Sequence, residues 1–318
     1  MAKYLSNRQK NLKVGIASYT ESNTVLEVTG KVGIKTTNAQ SALDVRGTIS
    51  IGRTDFVGIN SIRSVVDINS WEHAGVFKAT GTDDGTPQDI YFKDDGTKMF
   101  ILGDSGNEVN EYALSTAWDV STAGFTTVFS TASQETNPLG LYFKPDGSRM
   151  YICGNTAISP ANADQVRSYT LSTPWSIASG SVTYDNKAYT TTNTAPQGVY
   201  FKDDGLKMYV VDSTFDGIYE YSLSTAWELD STITLLNSVP LGTANTLNLP
   251  LSLTAPVGID FNASGTKMYI TDSTRDVVAR FDLATPWDTT TISFYDNVYV
   301  GFQELTPNGI FYQEDQSK

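Results

Sequence analysis

The chain has 318 residues, 40% of them hydrophobic and 18% charged, which suffices for one large all-β domain with a small appendage. No run approaches the ~18 apolar residues of a bilayer span, so membrane insertion is not expected, and the start lacks the apolar core of a secretion signal. The one cysteine, Cys153, excludes an intrachain disulfide framework. Residues 1–53 carry eight basic side chains against three acidic ones, so a local +5 leaves −18 of the net −13 on residues 54–318. A body that acidic repels phosphate backbones, and nucleic acid is not its expected partner.

Taken in chain order, residues 1–53 read as an anchor and a short β-stem. Lys3, Arg8, Lys10 and Lys13 make the start basic. Those charges could dock on an acidic partner surface, and a solvated tail explains them equally well. Residues 25–52 are short alternating strands broken by Gly30, Gly33, Gly47 and Gly52. Some thirty such residues cannot bury a core of their own, so the propeller or neighbouring chains must cover them. Val32, Gly33, Ile34, Thr36, Thr37, Asn38, Leu43, Asp44, Val45 and Gly47 match a segment found in bacteriophage tail fibres, which this stretch resembles. Lys35 and Ala39 depart from that pattern, where Gly and Pro are usual. The resemblance implies a virion location, contacts to other virion proteins through residues 1–53, and homo-oligomers, a trimer among them.

Residues 54–318 are built on a repeat. Pro87, Pro138, Pro196, Pro256 and Pro307 each open one phrase, as in Pro138-Leu-Gly-Leu-Tyr-Phe-Lys. Trp71, Trp118, Trp175, Trp227 and Trp287 are spaced by 47, 57, 52 and 60 residues. A period of that length made of short strands predicts a β-propeller. Each unit reads as four strands. The first ends at a turn whose glycine (Gly96, Gly147, Gly205, Gly265) supplies the positive φ of a hairpin. The second is a continuous apolar run such as Lys207-Met-Tyr-Val-Val, suited to burial on both faces. A third alternating strand, the Trp phrase and an outer Thr-rich strand follow.

Copy counting predicts five blades with a one-plus-three closure. Residues 56–59 and 65–68 then share a sheet with residues 309–312, which would leave no open sheet edge. The rival reading is a fragment of a longer, seven-bladed protein. The proline and Asp-Gly phrases resemble YVTN-type propeller repeats over about 265 residues. That resemblance speaks to fold and implies almost nothing about activity.

Chemistry is sparse. His73 is the only histidine, so neither a His-based zinc site nor a nucleophile-His arrangement can be assembled easily. No phosphate-binding or dinucleotide fingerprint appears, and no cofactor or metal is expected. Carboxylate-only catalysis remains open, because acids abound and their pairing needs three dimensions. Asp84, Glu135 and Glu304 recur just before the first strand and could ring one channel mouth, though a solvated acidic loop explains them as readily. Phe215 and Phe302 are the loop aromatics best placed beside them for a sugar. Asp212-Ser-Thr-Phe-Asp216 and Asp272-Ser-Thr-Arg-Asp276 read as Asx turns or as calcium ligands. The expected function is a non-catalytic virion protein, fibre- or spike-like, whose head contacts a host cell-surface glycan or protein. A decoration or adaptor protein and a carbohydrate-binding or carbohydrate-active propeller are the alternatives.

Overall fold

The computed structural model describes residues 32–34, 43–45, 85–156, 164–191, 195–242 and 252–313. The chain divides into two compact units, Met1–Ile62 and Arg63–Lys318. In the first, β1 (Val32–Ile34) pairs in parallel with β2 (Leu43–Val45), three residues each. In the second, four consecutive four-stranded antiparallel sheets make the blades of an all-β propeller. Among the described residues no helix is long and apolar enough to cross a membrane.

Blade 1 is β3 (Pro87–Phe92), β4 (Lys98–Gly103), β5 (Glu108–Leu114) and β6 (Ala123–Ser130). Blade 2 is β7 (Pro138–Phe143), β8 (Arg149–Gly154), β9 (Gln165–Leu171) and β10 (Val182–Thr190). Blade 3 is β11 (Pro196–Phe201), β12 (Lys207–Asp212), β13 (Gly217–Leu223) and β14 (Ile233–Pro240). Blade 4 is β15 (Pro256–Phe261), β16 (Lys267–Asp272), β17 (Val277–Leu283) and β18 (Ile292–Tyr299). The proline-led strands lie innermost and neighbour one another around the axis. Proline suits that place, because the strand edge facing the channel has no ladder to donate to.

The turn glycine and the tryptophan, separate signals in the sequence, prove to be one device. Trp118, Trp175, Trp227 and Trp287 each donate their backbone N–H to the carbonyl of the turn glycine of their own blade, at 2.9–3.1 Å. The indole then lies across that glycine, where an added Cβ would come within 2.2–2.5 Å of ring atoms. All four tryptophans adopt positive φ, 60–68°, a conformation that bulky residues enter only when their surroundings fix it. Each ring also meets the phenylalanine of its own inner strand and the aromatic residue of the preceding inner strand. Trp175 lies 5.5 Å from Phe143 and 6.2 Å from Tyr91, and Trp227 5.6 Å from Phe201 and 6.3 Å from Tyr142.

The tryptophan carbonyls carry the same contact outward. Lys98 Nζ donates to the Trp175 carbonyl at 2.6 Å, and Arg149 and Tyr151 donate to that of Trp227 at 2.9 and 2.7 Å. Lys207 and Tyr209 both donate to the Trp287 carbonyl at 2.8 Å. Buried Glu111 and Glu220 complete two of these latches: Glu111 accepts from Ile177 N, and Glu220 from Thr289 N. Neighbouring inner strands approach so closely that a Cβ on Gly198 would sit 2.5 Å from the Val257 carbonyl oxygen.

The expected fifth blade requires a correction. The described residues hold four complete blades. Residues 56–59 and 65–68, called for two strands of the fifth, lie outside the described residues, and 309–312 form no ladder. A proline phrase becomes a strand only with a laddered partner, and the last phrase has none among the described residues. Residues 307–313 instead stand between β15 and β3 as a closing segment. Tyr312 N donates to Asp260 at 2.7 Å, and Asn308 Nδ2 to the Pro87 carbonyl at 3.2 Å. Phe311 packs on Phe92 and Tyr91 at 5.3 Å and stacks on Trp118 at 6.1 Å. This repeats the contact that each inner-strand tyrosine makes with the next blade.

Gly180 has the same positive φ as the turn glycines, 81°, with open space where its Cβ would go. Gly180→Ala therefore costs backbone strain alone, about 1 kcal/mol. Gly205→Ala adds a collision with Trp227, and Trp227→Ala removes the ring at a cost of about 3–5 kcal/mol. Urea unfolding should rank Trp227→Ala and Gly205→Ala well above Gly180→Ala. Equal costs for the two glycine variants would refute the device.

Candidate functional site

The described residues among those singled out in the sequence make separate contacts. Glu135 is fully buried, paired with Arg167 at 2.7 Å and accepting the backbone N–H groups of Asn137 and Thr156 at 3.0 Å. It is a structural ion pair between a loop and β9. Glu304 is exposed and accepts from Thr306 N at 3.1 Å. Phe215 is half-buried against Tyr219, and Phe302 is 74% exposed beside Tyr299. Asp84, His73 and the anchor side chains Lys3, Arg8, Lys10 and Lys13 lie outside the described residues. Asp212 accepts from Thr214 N and Phe215 N, and Asp272 from Thr274 N and Arg275 N, so both form Asx turns. Among the described residues no three metal-ligating side chains come together. Cys153 is buried, and burial pushes its thiol well up, away from reactivity.

The site that the fold does build lies in the channel, at the trailing ends of the inner strands and beneath the turns that follow them. A cavity of about 300 Å³ is lined there by Asp89, Tyr91, Asp94, Trp118, Tyr142, Tyr200, Asp203, Asp260 and Phe311, over an apolar ring that includes Leu141, Val199 and Ile259. That volume is at the lower end for small-molecule sites, which are mostly apolar with a few convergent polar groups. Glu135, Phe215, Phe302 and Glu304 do not line it.

Two of its carboxylates break the repeat. The third residue of the proline phrase is glycine in four copies (140, 198, 258, 309) and aspartate at Asp89. The fifth is aromatic in four copies (Tyr91, Tyr142, Tyr200, Phe311) and aspartate at Asp260. Both substitutions flank the closing segment. Asp89 accepts Leu141 N at 2.7 Å and Ile90 N at 2.8 Å, while Asp260 accepts Tyr312 N at 2.7 Å and Phe261 N at 2.6 Å. Loss of water pushes Asp89 up to about 7 and Asp260 up to about 8, against the pull of those N–H groups. The charges of Asp89 and Asp203 add to the rise at Asp260. Near neutral pH the pair therefore holds a proton that ordinary aspartates have lost. Asp94 and Asp203 stand exposed at the mouth, each raised chiefly by desolvation, with the charge of Asp203 also acting on Asp94.

Asp89 and Asp260 do not recur from copy to copy, so recurrence of acids does not point to them. The informative signal was the opposite one, an acid where every other copy has glycine or an aromatic ring.

No family profile matches the chain, and no curated protein matches it. Solved structures similar to it include a candidate 6-phosphogluconolactonase of Bacteroides uniformis, 12% identical with a TM-score of 0.41. The match covers 66% of this chain and 57% of that one. The periplasmic gluconolactonase PpgL of Pseudomonas aeruginosa is 16% identical with a TM-score of 0.40, covering 67% of this chain and 57% of that one. The β-propeller domain of Myceliophteria thermophila Cps50 (Swd1) is 11% identical with a TM-score of 0.41, covering 66% and 71%. Likeness at this level speaks to the propeller fold and to nothing finer. The expectation of a head without catalysis is corrected on the channel itself, which holds two carboxylates that burial pushes up to about 7 and about 8.

A linkage prediction follows from the pair. Because both folded-state values lie above the ordinary 3.8, the folded chain binds protons that the unfolded chain releases. The pair's contribution to stability is full below about pH 4 and is lost as pH rises through 7 to 8. Asp95 and Asp146 are held down at about 2 and titrate outside this window. Urea midpoints should fall between pH 5.5 and 9, and Asp260→Asn should flatten the fall. An Asp260→Asn profile parallel to that of the wild type would contradict the assignment.

Proposed function

We propose that the chain is a carbohydrate-active propeller whose site is the central channel. The observation that carries this reading is the convergence of aromatic rings and carboxylates in one cavity of about 300 Å³. Sugars present apolar faces to aromatic rings and hydroxyl groups to acids, and this lining offers both. Asp260 and Asp89, which burial pushes up to about 8 and about 7, can between them give a proton to a leaving oxygen and take one from water. A pair of carboxyl groups, one giving a proton and one taking it, is the usual set for hydrolysing a glycosidic bond.

The test is direct. The full chain is titrated with monosaccharides and aldonolactones and assayed for turnover of lactones and nitrophenyl glycosides. Binding is expected to vanish when Leu141→Trp fills the channel, and Asp260→Asn is expected to cut turnover ~100-fold or more. If Leu141→Trp is folded and still binds saccharide like the wild type, the channel is not the site.

A second reading concerns display. The first unit's parallel pair, β1 with β2, is three residues long on each strand, too short to stand as a sheet by itself. With the basic charge of residues 1–53, this supports attachment of the head to a larger assembly, a virion appendage being the class the sequence resembles. Sister copies and acidic surfaces of other virion proteins are the contacts it would make. Deleting residues 1–53 should leave a folded propeller that no longer oligomerises or joins its particle. A truncated chain that assembles normally would end this reading.

A further inference from the structure

The lining of the channel has one sign. Four carboxylates, Asp89, Asp94, Asp203 and Asp260, share the cavity with aromatic rings, and no lysine or arginine is among its described lining residues. Lys93 pairs with Asp95 and Lys202 with Asp204, both at 2.6 Å, and they act on Asp94 and Asp203 only through space. Asp94 and Asp203 have no ion pair or hydrogen bond with any described residue, although they lie at the mouth and repel one another.

A second observation is independent of the acids. The inner-strand tyrosines of blades 1 and 2 cap the next blade, Tyr91 OH donating to the Phe143 carbonyl at 3.0 Å and Tyr142 OH to that of Phe201 at 2.8 Å. Tyr200, the third member of this set, is only 9% exposed and lines the cavity, yet no described residue partners its hydroxyl. Unlike the enclosed hydroxyls of Tyr169 and Tyr184, that of Tyr200 opens on the cavity, where a ligand oxygen can reach it.

We propose that the channel takes a protonated amine on a hydroxyl-bearing ligand, an amino sugar being the class that fits: the ammonium sits among Asp94, Asp203 and the aromatic rings, and a ligand oxygen meets the Tyr200 hydroxyl. An ammonium in an aromatic, anionic cavity gains from ring quadrupoles and from the carboxylates together. It also relieves the repulsion between Asp94 and Asp203 at the mouth. The inference rests on the carbohydrate reading and narrows it to a cationic member.

The full chain is titrated by calorimetry near pH 7 with D-glucosamine, D-glucose, N-acetyl-D-glucosamine and Nα-acetyl-L-lysine amide. D-glucosamine is expected to bind at least ~10-fold more tightly than the two neutral sugars, because only it adds the charge term. Asp94→Asn with Asp203→Asn should erase that preference, and Tyr200→Phe should weaken glucosamine. Both acids are exposed, so the double variant should fold. Should it not, raising the salt concentration must shrink the preference in the wild type, since a mouth open to solvent is screened. Equal affinity for glucosamine and glucose overturns the amine and leaves the carbohydrate reading standing. Lysine amide binding as tightly as glucosamine keeps the amine and overturns the sugar. Failure of all four ligands removes both.

Discussion

The propeller depends on one contact, an indole laid across a glycine. A tryptophan at positive φ is held by its own N–H on the turn glycine's carbonyl, its ring fills the space a Cβ would need, and its carbonyl is bonded by the preceding blade at three interfaces. One residue per repeat thereby ties turn, inner strand and neighbouring blade together. Aromatic pairs of this kind contribute about 0.5–1.5 kcal/mol each beyond their buried area. The larger effect is geometric, since the stack sets how far apart successive inner strands stand and so the width of the channel.

The site follows from that spacing. Where all copies obey the repeat, inner strands approach through glycine and tyrosine, and the wall is apolar and phenolic. The two departures, Asp89 and Asp260, fall on either side of residues 307–313, where no complete blade stands among the described residues. Asp260 ties that segment to blade 4 by accepting Tyr312 N, while Asp89 accepts Leu141 N and ties blade 1 to blade 2. Burial in a dry wall raises the proton affinity of the same carboxylates, against the pull of those N–H groups. At Asp260, closure and acid–base capacity are thus two consequences of one substitution.

Much of this was legible in the sequence. The proline phrases fixed the inner strands, and the structure begins β3, β7, β11 and β15 at those prolines. The turn glycines adopt the positive φ expected of them. The blade count was not legible, because Pro307-Asn-Gly-Ile-Phe-Tyr has the composition of an inner strand while its ladder partner is a matter of tertiary pairing. The site was missed for a related reason. Glu135 and Glu304 recur in one loop, but recurrence says nothing about where a side chain points, and Glu135 turns inward to Arg167. Asp89 and Asp260 become visible only when the copies are compared position by position for what differs.

The central claim is that ligand enters the channel beneath the strand-one turns rather than binding at the opposite, loop-bearing face. Backbone hydrogen exchange read residue by residue, with and without saturating D-glucosamine, tests it most directly. The amides of Leu141 and Tyr312, which the two channel carboxylates hold, and those of residues 92–95 and 201–204 are predicted to slow on binding. Protection confined to residues 213–217 and 300–306, with the channel amides unchanged, would contradict the account.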